Sequence, residues 1–316
     1  MQTQIQQILE QSGTKTSKIR QLINLGISRT EIARLLTNGN YGFVQNVYKK
    51  MQAEGQLNQI TEQIASPSIT PRIFDKEFGV EFEGYNVNME TLKNKLRAAG
   101  INCQTESYNH NTSPHWKIVT DGSLTGNQTF ELVSPILRGE AGIAEMVKVC
   151  SVLNKAGAKV NKSCGTHVHI NARNFTLEQW KRIYINYARL EKTIDGFMPD
   201  SRRKDNNTYC KGFSAVRNFE TKITGANSLN EIERIFNSRY FKINPKSYSR
   251  HNTCEFRQHA GTTDFIKISS WVRFLSNLVD FSEENLIGNR TIGGLKNFNT
   301  AELTNYFEYR TLELAS

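Results

Sequence analysis

Polar and apolar residues alternate in several separated stretches of the chain, and between them apolar positions recur at helical spacing. Phe74 to Phe82 reads as a strand, with Phe78, Val80 and Phe82 on one side and Glu81 and Glu83 on the other. His115 to Thr120 and Thr129 to Val133 read as two more, with a turn at Asp121-Gly122 and a stop at Pro135. Thr166 to Ile170 repeats the alternation and turns His167 and His169 the same way. Tyr240 to Ile243, Ser247 to Arg250 and Thr253 to His259 complete the expected strands. Asn88 caps a helix over Leu92, Leu96 and Ala99 that ends at Gly100, and Glu140 to Ala156 is a helix that ends at Gly157. Thr176 caps a long helix from Leu177 to Ile194, Ser228 a short one to Phe236, and Asp264 one that runs through Leu278. Thr300 to Leu314 reads as a final helix, and residues 199–218 as a basic, mobile loop. Strands with intervening helices, some of them near-adjacent pairs, predict an α+β fold with a mixed or antiparallel sheet.

Residues 1–58 have a different texture. Thr16-Ser17 caps a helix over Ile19, Leu22 and Ile23 that Gly26 stops. Ser28, with Glu31 three residues on, caps a second helix, and after Asn38-Gly39-Asn40 a third runs through Val47, Tyr48 and Met51. The pattern is that of a helix-turn-helix module. Its seven Lys and Arg against three Glu suit DNA or RNA phosphates; the competing reading is a small bundle that docks on protein. A Ser, Thr and Pro-rich linker at 59–71 separates this module from a large domain at 72–285, and 286–316 forms a carboxy-terminal tail and helix.

The net charge of +10 points to an anionic partner such as nucleic acid or a nucleotide. Five scattered cysteines with no CxxC fit a reducing cytoplasm better than a disulfide scaffold. No apolar run is long enough to span a membrane, and the first residues do not read as a signal peptide.

Three stretches carry chemistry. Two histidines on one strand face can bind a metal, hold a phosphate or sit in a hydrogen-bonded core. Glu81 and Glu83 are hard oxygen donors suited to Mg²⁺ or Mn²⁺, and the apolar residues between them place their strand inside the protein, where a carboxylate needs a cation. Glu131 is a third candidate ligand and Glu255 a fourth. Arg257 offers a planar fork for phosphate or carboxylate, or a structural salt bridge to one of these acids.

FGVEFEG, DGSL…FELVSPIL, CGTHVHIN and YSRHNTCEFRQHAGTTD, in that order over residues 74–282, resemble the phage and plasmid amidoligases of the glutamine synthetase-like superfamily. The resemblance implies a curved antiparallel sheet with ATP and divalent metal on its concave face, and ATP-dependent joining of a carboxylate to an amine. It implies metal ligation by Glu81, Glu83, Glu131 and His167, a substrate-side role for His169, and a late acid–arginine pair in Glu255 and Arg257. Asp121 and Arg250 match less closely, with Arg250 a further catalytic candidate. It implies the cytoplasm as location, the host's if the gene is a phage's. Residues 1–58 lie outside the resemblance.

In the implied reaction, ATP converts a carboxylate to an acyl phosphate and an amine then attacks the acyl carbon. The proposed metals bridge the phosphates, while Arg257, with Arg202 or Arg203 from the loop, stabilises the transferring phosphoryl group. One rival reading is a nucleic-acid-binding protein with an inactive ligase-like domain. Another is a Cys–His hydrolase using Cys164, but a cysteine three residues before a histidine on one strand is poorly placed to share a proton.

Overall fold

The computed structural model describes residues 2–25, 27, 29–54, 56, 74–109 and 111–315. These fall into two compact units, Met1–Pro71 and Arg72–Ser316. Gly26, Ser28 and the expected linker at 59–71 lie outside the described residues, as does the side chain of Glu31.

The smaller unit is helical: α1 (Gln2–Glu10), α2 (Lys15–Asn24), α3 (Arg29–Leu36) and α4 (Tyr41–Ala53). α1 was not legible in the pattern. The cap of α2 is Thr14, whose hydroxyl accepts the Ser17 N–H, rather than Thr16-Ser17. Ile19, Leu22, Ile32, Val44, Val47 and Met51 form its own core.

The larger unit is built on an eight-stranded sheet: β1 (Glu77–Gly84), β2 (Cys103–Thr105), β3 (Trp116–Val119), β4 (Phe130–Val133), β5 (Leu137–Arg138), β6 (Thr166–Asn171), β7 (Ile243–Asn244) and β8 (Thr253–Phe256). The order is β2-β3-β4-β1-β6-β8-β7, with β5 beside β1. All pairs are antiparallel except β2–β3 at one edge. The helices are α5 (Met89–Ala98), α6 (Gly139–Ala156), α7 (Leu177–Gly196), α8 (Phe219–Gly225), α9 (Leu229–Ile235), α10 (Ser247–His251), α11 (Phe265–Phe281) and α12 (Ala301–Ala315). Asn88, Thr176, Ser228 and Asp264 each cap the helix expected of them, accepting a backbone N–H of the first turn. Phe78, Val80, Phe82, Leu132, Val168, Ile170, Cys254 and Phe256 join residues of α5, α6, α7 and α11 in one apolar core. The alternate residues of the same strands are therefore committed to the opposite face.

Two expected strands are not formed as read. Ser247 to Arg250 is helical: the Asn244 side chain accepts the Lys246 N–H, and Asn252 closes the turn in the left-handed region at φ 56°. Of Tyr240 to Ile243 only Ile243 joins the sheet, because Tyr240 and Lys242 hydrogen-bond the backbone of Lys211 instead. Residues 199–218 are not a free loop either. They contain two 3₁₀ turns and bury Arg202, Cys210 and Phe213.

His259, partly buried against the Trp271 ring, shows the cost of removing an imidazole from water. Burial pushes its imidazole down to about 4, although its ring N–H donates to the Ala260 carbonyl. An unfolded histidine takes its proton near pH 6.5, so between pH 6.5 and 4 the unfolded chain binds more protons and stability falls as pH falls. Between pH 7 and 4 the native protein should lose up to about 3 kcal/mol more stability to urea unfolding than His259→Asn does. Parallel curves would remove His259 as the source.

Candidate active site

The polar face of the sheet forms the floor of a cleft of about 780 Å³, within the range of small-molecule sites. Strand register builds the floor. Glu81 pairs with Val133 on one side and His167 on the other, and Glu83 pairs with Glu131. His169 pairs with Glu255, which pairs with Asn244. Glu83, Glu131, His167, Glu255 and Arg257 are all buried.

The two imidazoles converge on one carboxylate. His167 Nδ1 lies 2.8 Å from Glu81 Oε2, and His169 Nε2 lies 3.1 Å from Glu81 Oε1. His169 Nδ1 is 2.9 Å from the Thr253 hydroxyl. A proton on His167 Nδ1 leaves the Nε2 lone pair directed towards Glu83, whose Oε1 is 3.6 Å away. Gly165 makes room here, since a Cβ at that position would stand 3.0 Å from His167 Nε2 and 3.2 Å from the Arg202 guanidinium. Glu255 is engaged on both oxygens, by the Asn244 amide at 2.6 Å and by the Arg257 guanidinium. Arg257 also donates through Nε to the Tyr209 carbonyl at 3.2 Å.

The carboxylates differ sharply in electrostatics. Burial, then the charges of Glu81, Glu83 and Asp121, push the Glu131 carboxyl well above the usual range. Burial acts on Glu81 in the same sense, but the hydrogen bonds from His167 and His169 outweigh it and hold Glu81 well below. Glu255 is likewise opposed by burial and brought down to about 2, chiefly by Arg257 and then by His169. His169 is raised, because Glu255 and Glu81 together outweigh its burial.

Among the described residues, two sets of side chains place donor atoms within 4.8 Å of one another: Glu83, Glu131 and His167, and Glu81, His167 and Glu255. Both sets join two carboxylates to an imidazole nitrogen, but the first fits a divalent cation better. Glu81 and Glu255 are already engaged by His169 and by Asn244 and Arg257, whereas the burial and carboxylate repulsion that raise Glu131 are what a cation relieves. Glu81 then stands behind His167 and orients it.

Asp121, His169, Arg202 and Arg250 reach the same cleft. Arg203 does not line it: it pairs with Asp200 at 3.0 Å and donates to the Met198 carbonyl at 2.7 Å. Arg202 is buried and donates to the Cys164 carbonyl. Cys164 is wholly buried, and burial raises its thiol, the opposite of a nucleophilic thiolate. Lys117 was missed in the sequence. It is 2% exposed, and its ammonium holds the Asn109 and Asn111 carbonyls at 3.2 and 2.6 Å, fixing a wall of the cleft. The alternation in Trp116–Val119, which places Lys117 opposite the buried Trp116 and Ile118, was the available signal.

A family model described as "Putative amidoligase enzyme" matches residues 75–279, from β1 into the end of α11. The chain belongs to this amidoligase family. Every motif of the cleft floor lies inside the match, and the helical unit lies outside it. A solved structure described as "Crystal structure of novel glutamine synthase homolog" is similar at 12% identity and a TM-score of 0.37. The similarity covers 77% of this chain and 66% of that one, so the chain spans just under two thirds of that protein's length. No curated protein matches the sequence. No helix among the described residues is long and apolar enough to cross a membrane.

Proposed function

We propose that this amidoligase joins a carboxylate to an amine with ATP, through an acyl phosphate, using Mg²⁺ or Mn²⁺. The observation that carries the reading is the convergence of Glu83, Glu131 and His167 from three adjacent strands of one cleft, with Arg257 beside them. A bound divalent cation would neutralise phosphate charge and favour phosphoryl transfer. Glu83, Glu131 and His167 would hold it, and Glu81 fixes the His167 ring through Nδ1. Arg257, locked by Glu255 and the Tyr209 carbonyl, presents its remaining N–H groups to the moving phosphoryl group without reorganising. The carboxylate oxygen attacks the γ-phosphorus and ADP leaves; the amine nitrogen then attacks the acyl carbon and phosphate leaves. A cytoplasmic setting belongs to the same proposal and suits the five free, buried cysteines.

An ADP-release screen with Mg²⁺ across paired carboxylates and amines tests the reaction. With an ¹⁸O-labelled carboxylate, label should appear in the released phosphate. Absence of ADP release together with absence of nucleotide binding would favour an inactive ligase-like domain.

Calorimetry addresses the site without a known substrate. ATP should bind with Mg²⁺ and fail to bind in EDTA. Glu81→Gln keeps the shape of the side chain but removes the charge that holds and polarises His167, so Mg²⁺-dependent affinity should fall about 10- to 100-fold, as for weakened supporting partners of metal ligands. Equal affinity with and without metal would remove the proposed centre.

A further inference from the structure

The helical unit carries a surface with its own chemistry. α3 and α4 are joined by the turn Thr37–Asn40, in which Asn38 and Gly39 take positive φ of 50° and 84°. Two successive left-handed residues reverse the chain within one turn, and Asn40 Oδ1 then caps α4 by accepting the Phe43 N–H. α4 buries Val44, Val47 and Met51. At 100° per residue, its opposite side carries Gly42, Asn46, Lys49 and Ala53, flanked by Lys50 and Phe43, all exposed. There is no Asp or Glu between Tyr41 and Ala53. Glu54, just beyond, pairs with Arg20 at 3.2 Å and more loosely with the exposed Lys50 at 3.8 Å, a surface contact that a phosphate can replace. Arg29, at the start of α3, is held against α4 by the Tyr48 ring at 4.4 Å and by Gln45 at 2.7 Å.

We infer that α4 is a recognition helix that enters the major groove of double-stranded DNA. Small residues at both ends of the exposed face, Gly42 and Ala53, allow close approach to the groove floor. Asn46, at the middle of that face, meets base edges, while Lys49, Lys50 and Arg29 meet phosphates. A helix, a tight turn and a second helix with a solvent-facing basic side is the arrangement that docks in this way. The core of a protein-docking face is depleted in lysine, and here Lys49 stands at the middle of the exposed face with Lys50 beside it. A-form RNA has a major groove too narrow for a helix, which favours DNA. This inference is independent of the ligase reading, since it rests on the unit outside the family match.

The test is fluorescence anisotropy of the full-length protein with mixed-sequence 30-base-pair duplexes and with single-stranded RNA of equal length. Duplex affinity should fall roughly 10- to 100-fold between 50 and 200 mM salt, the response to about three phosphate contacts. Lys49→Glu/Lys50→Glu should lose at least tenfold in duplex affinity with unchanged circular dichroism, because both side chains are exposed. Selection from a random duplex pool should return a preferred sequence that Asn46→Ala relaxes. Absence of salt-dependent duplex binding, tighter binding to the RNA, duplex affinity unchanged in the double variant, or a pool with no preference would each overturn the proposal.

Discussion

Arg257→Lys is expected to lower turnover by a factor on the order of 10² to 10³ while ATP and Mg²⁺ still bind, the scale of losing one preorganised donor. The guanidinium has five N–H donors in a fixed fork. Glu255 takes a donor on Nη1 and the Tyr209 carbonyl takes Nε, which leaves three N–H groups for substrate. A lysine ammonium keeps the charge beside Glu255 but cannot hold both partners and point at a third. Because Glu255 retains a cation, the fold should survive, and the loss should appear in kcat rather than in nucleotide affinity. Melting temperature, ATP affinity and kcat separate the cases. An unfolded variant would make Arg257 a structural partner of Glu255, and normal turnover in a stable one would clear it of any catalytic part.

Lys242→Met should produce the largest loss of stability, about 3 to 5 kcal/mol, the range for breaking a buried ion pair from one side. Lys242 is wholly buried, and its ammonium lies 2.8 Å from both Glu191 and Asp195 on α7. Burial already raises the Glu191 carboxyl, so removing the lysine leaves two carboxylates facing each other in the interior. Urea unfolding measures the loss. Adding Glu191→Gln to Lys242→Met should recover part of it by removing one of the stranded charges. A loss below about 1 kcal/mol would show that water reaches the pair and compensates it.

β1 and β6 were legible because their alternation is strict: apolar residues on one face, charged or imidazole side chains on the other. The helix caps at Asn88, Thr176, Ser228 and Asp264 were legible because each precedes a periodic apolar run. β2 and β5 were not, since three and two residues are too few to show a period. α10 was misread because its backbone is decided by the Asn244 side chain and by Asn252, local bonds that β-propensity does not register. The acids, histidines and Arg257 that line the cleft stood out in the sequence as charges on apolar strands. Arg202 and Arg203 were indistinguishable in a basic segment. Only the 3₁₀ turn at Asp200–Arg202 sends one into the cleft wall and the other to Asp200.

The central place of β1 has a consequence for how the protein folds. Glu81 meets His167 across 86 residues of chain, and His169 meets Thr253 across another 84. No short fragment therefore contains a partial cleft, and the loop-closure entropy of both separations must be met before any of these side chains touch. The like charges of Glu81, Glu83 and Glu131 are brought together only as β1, β4 and β6 zip, so their repulsion is absent from early folding and opposes the last stages of sheet closure. A chain cut between α7 and β7 would leave Glu81, Glu83, Glu131 and both histidines on one piece and Asn244, Glu255 and Arg257 on the other, so rejoining the acids to the arginine would become a bimolecular event that depends on concentration.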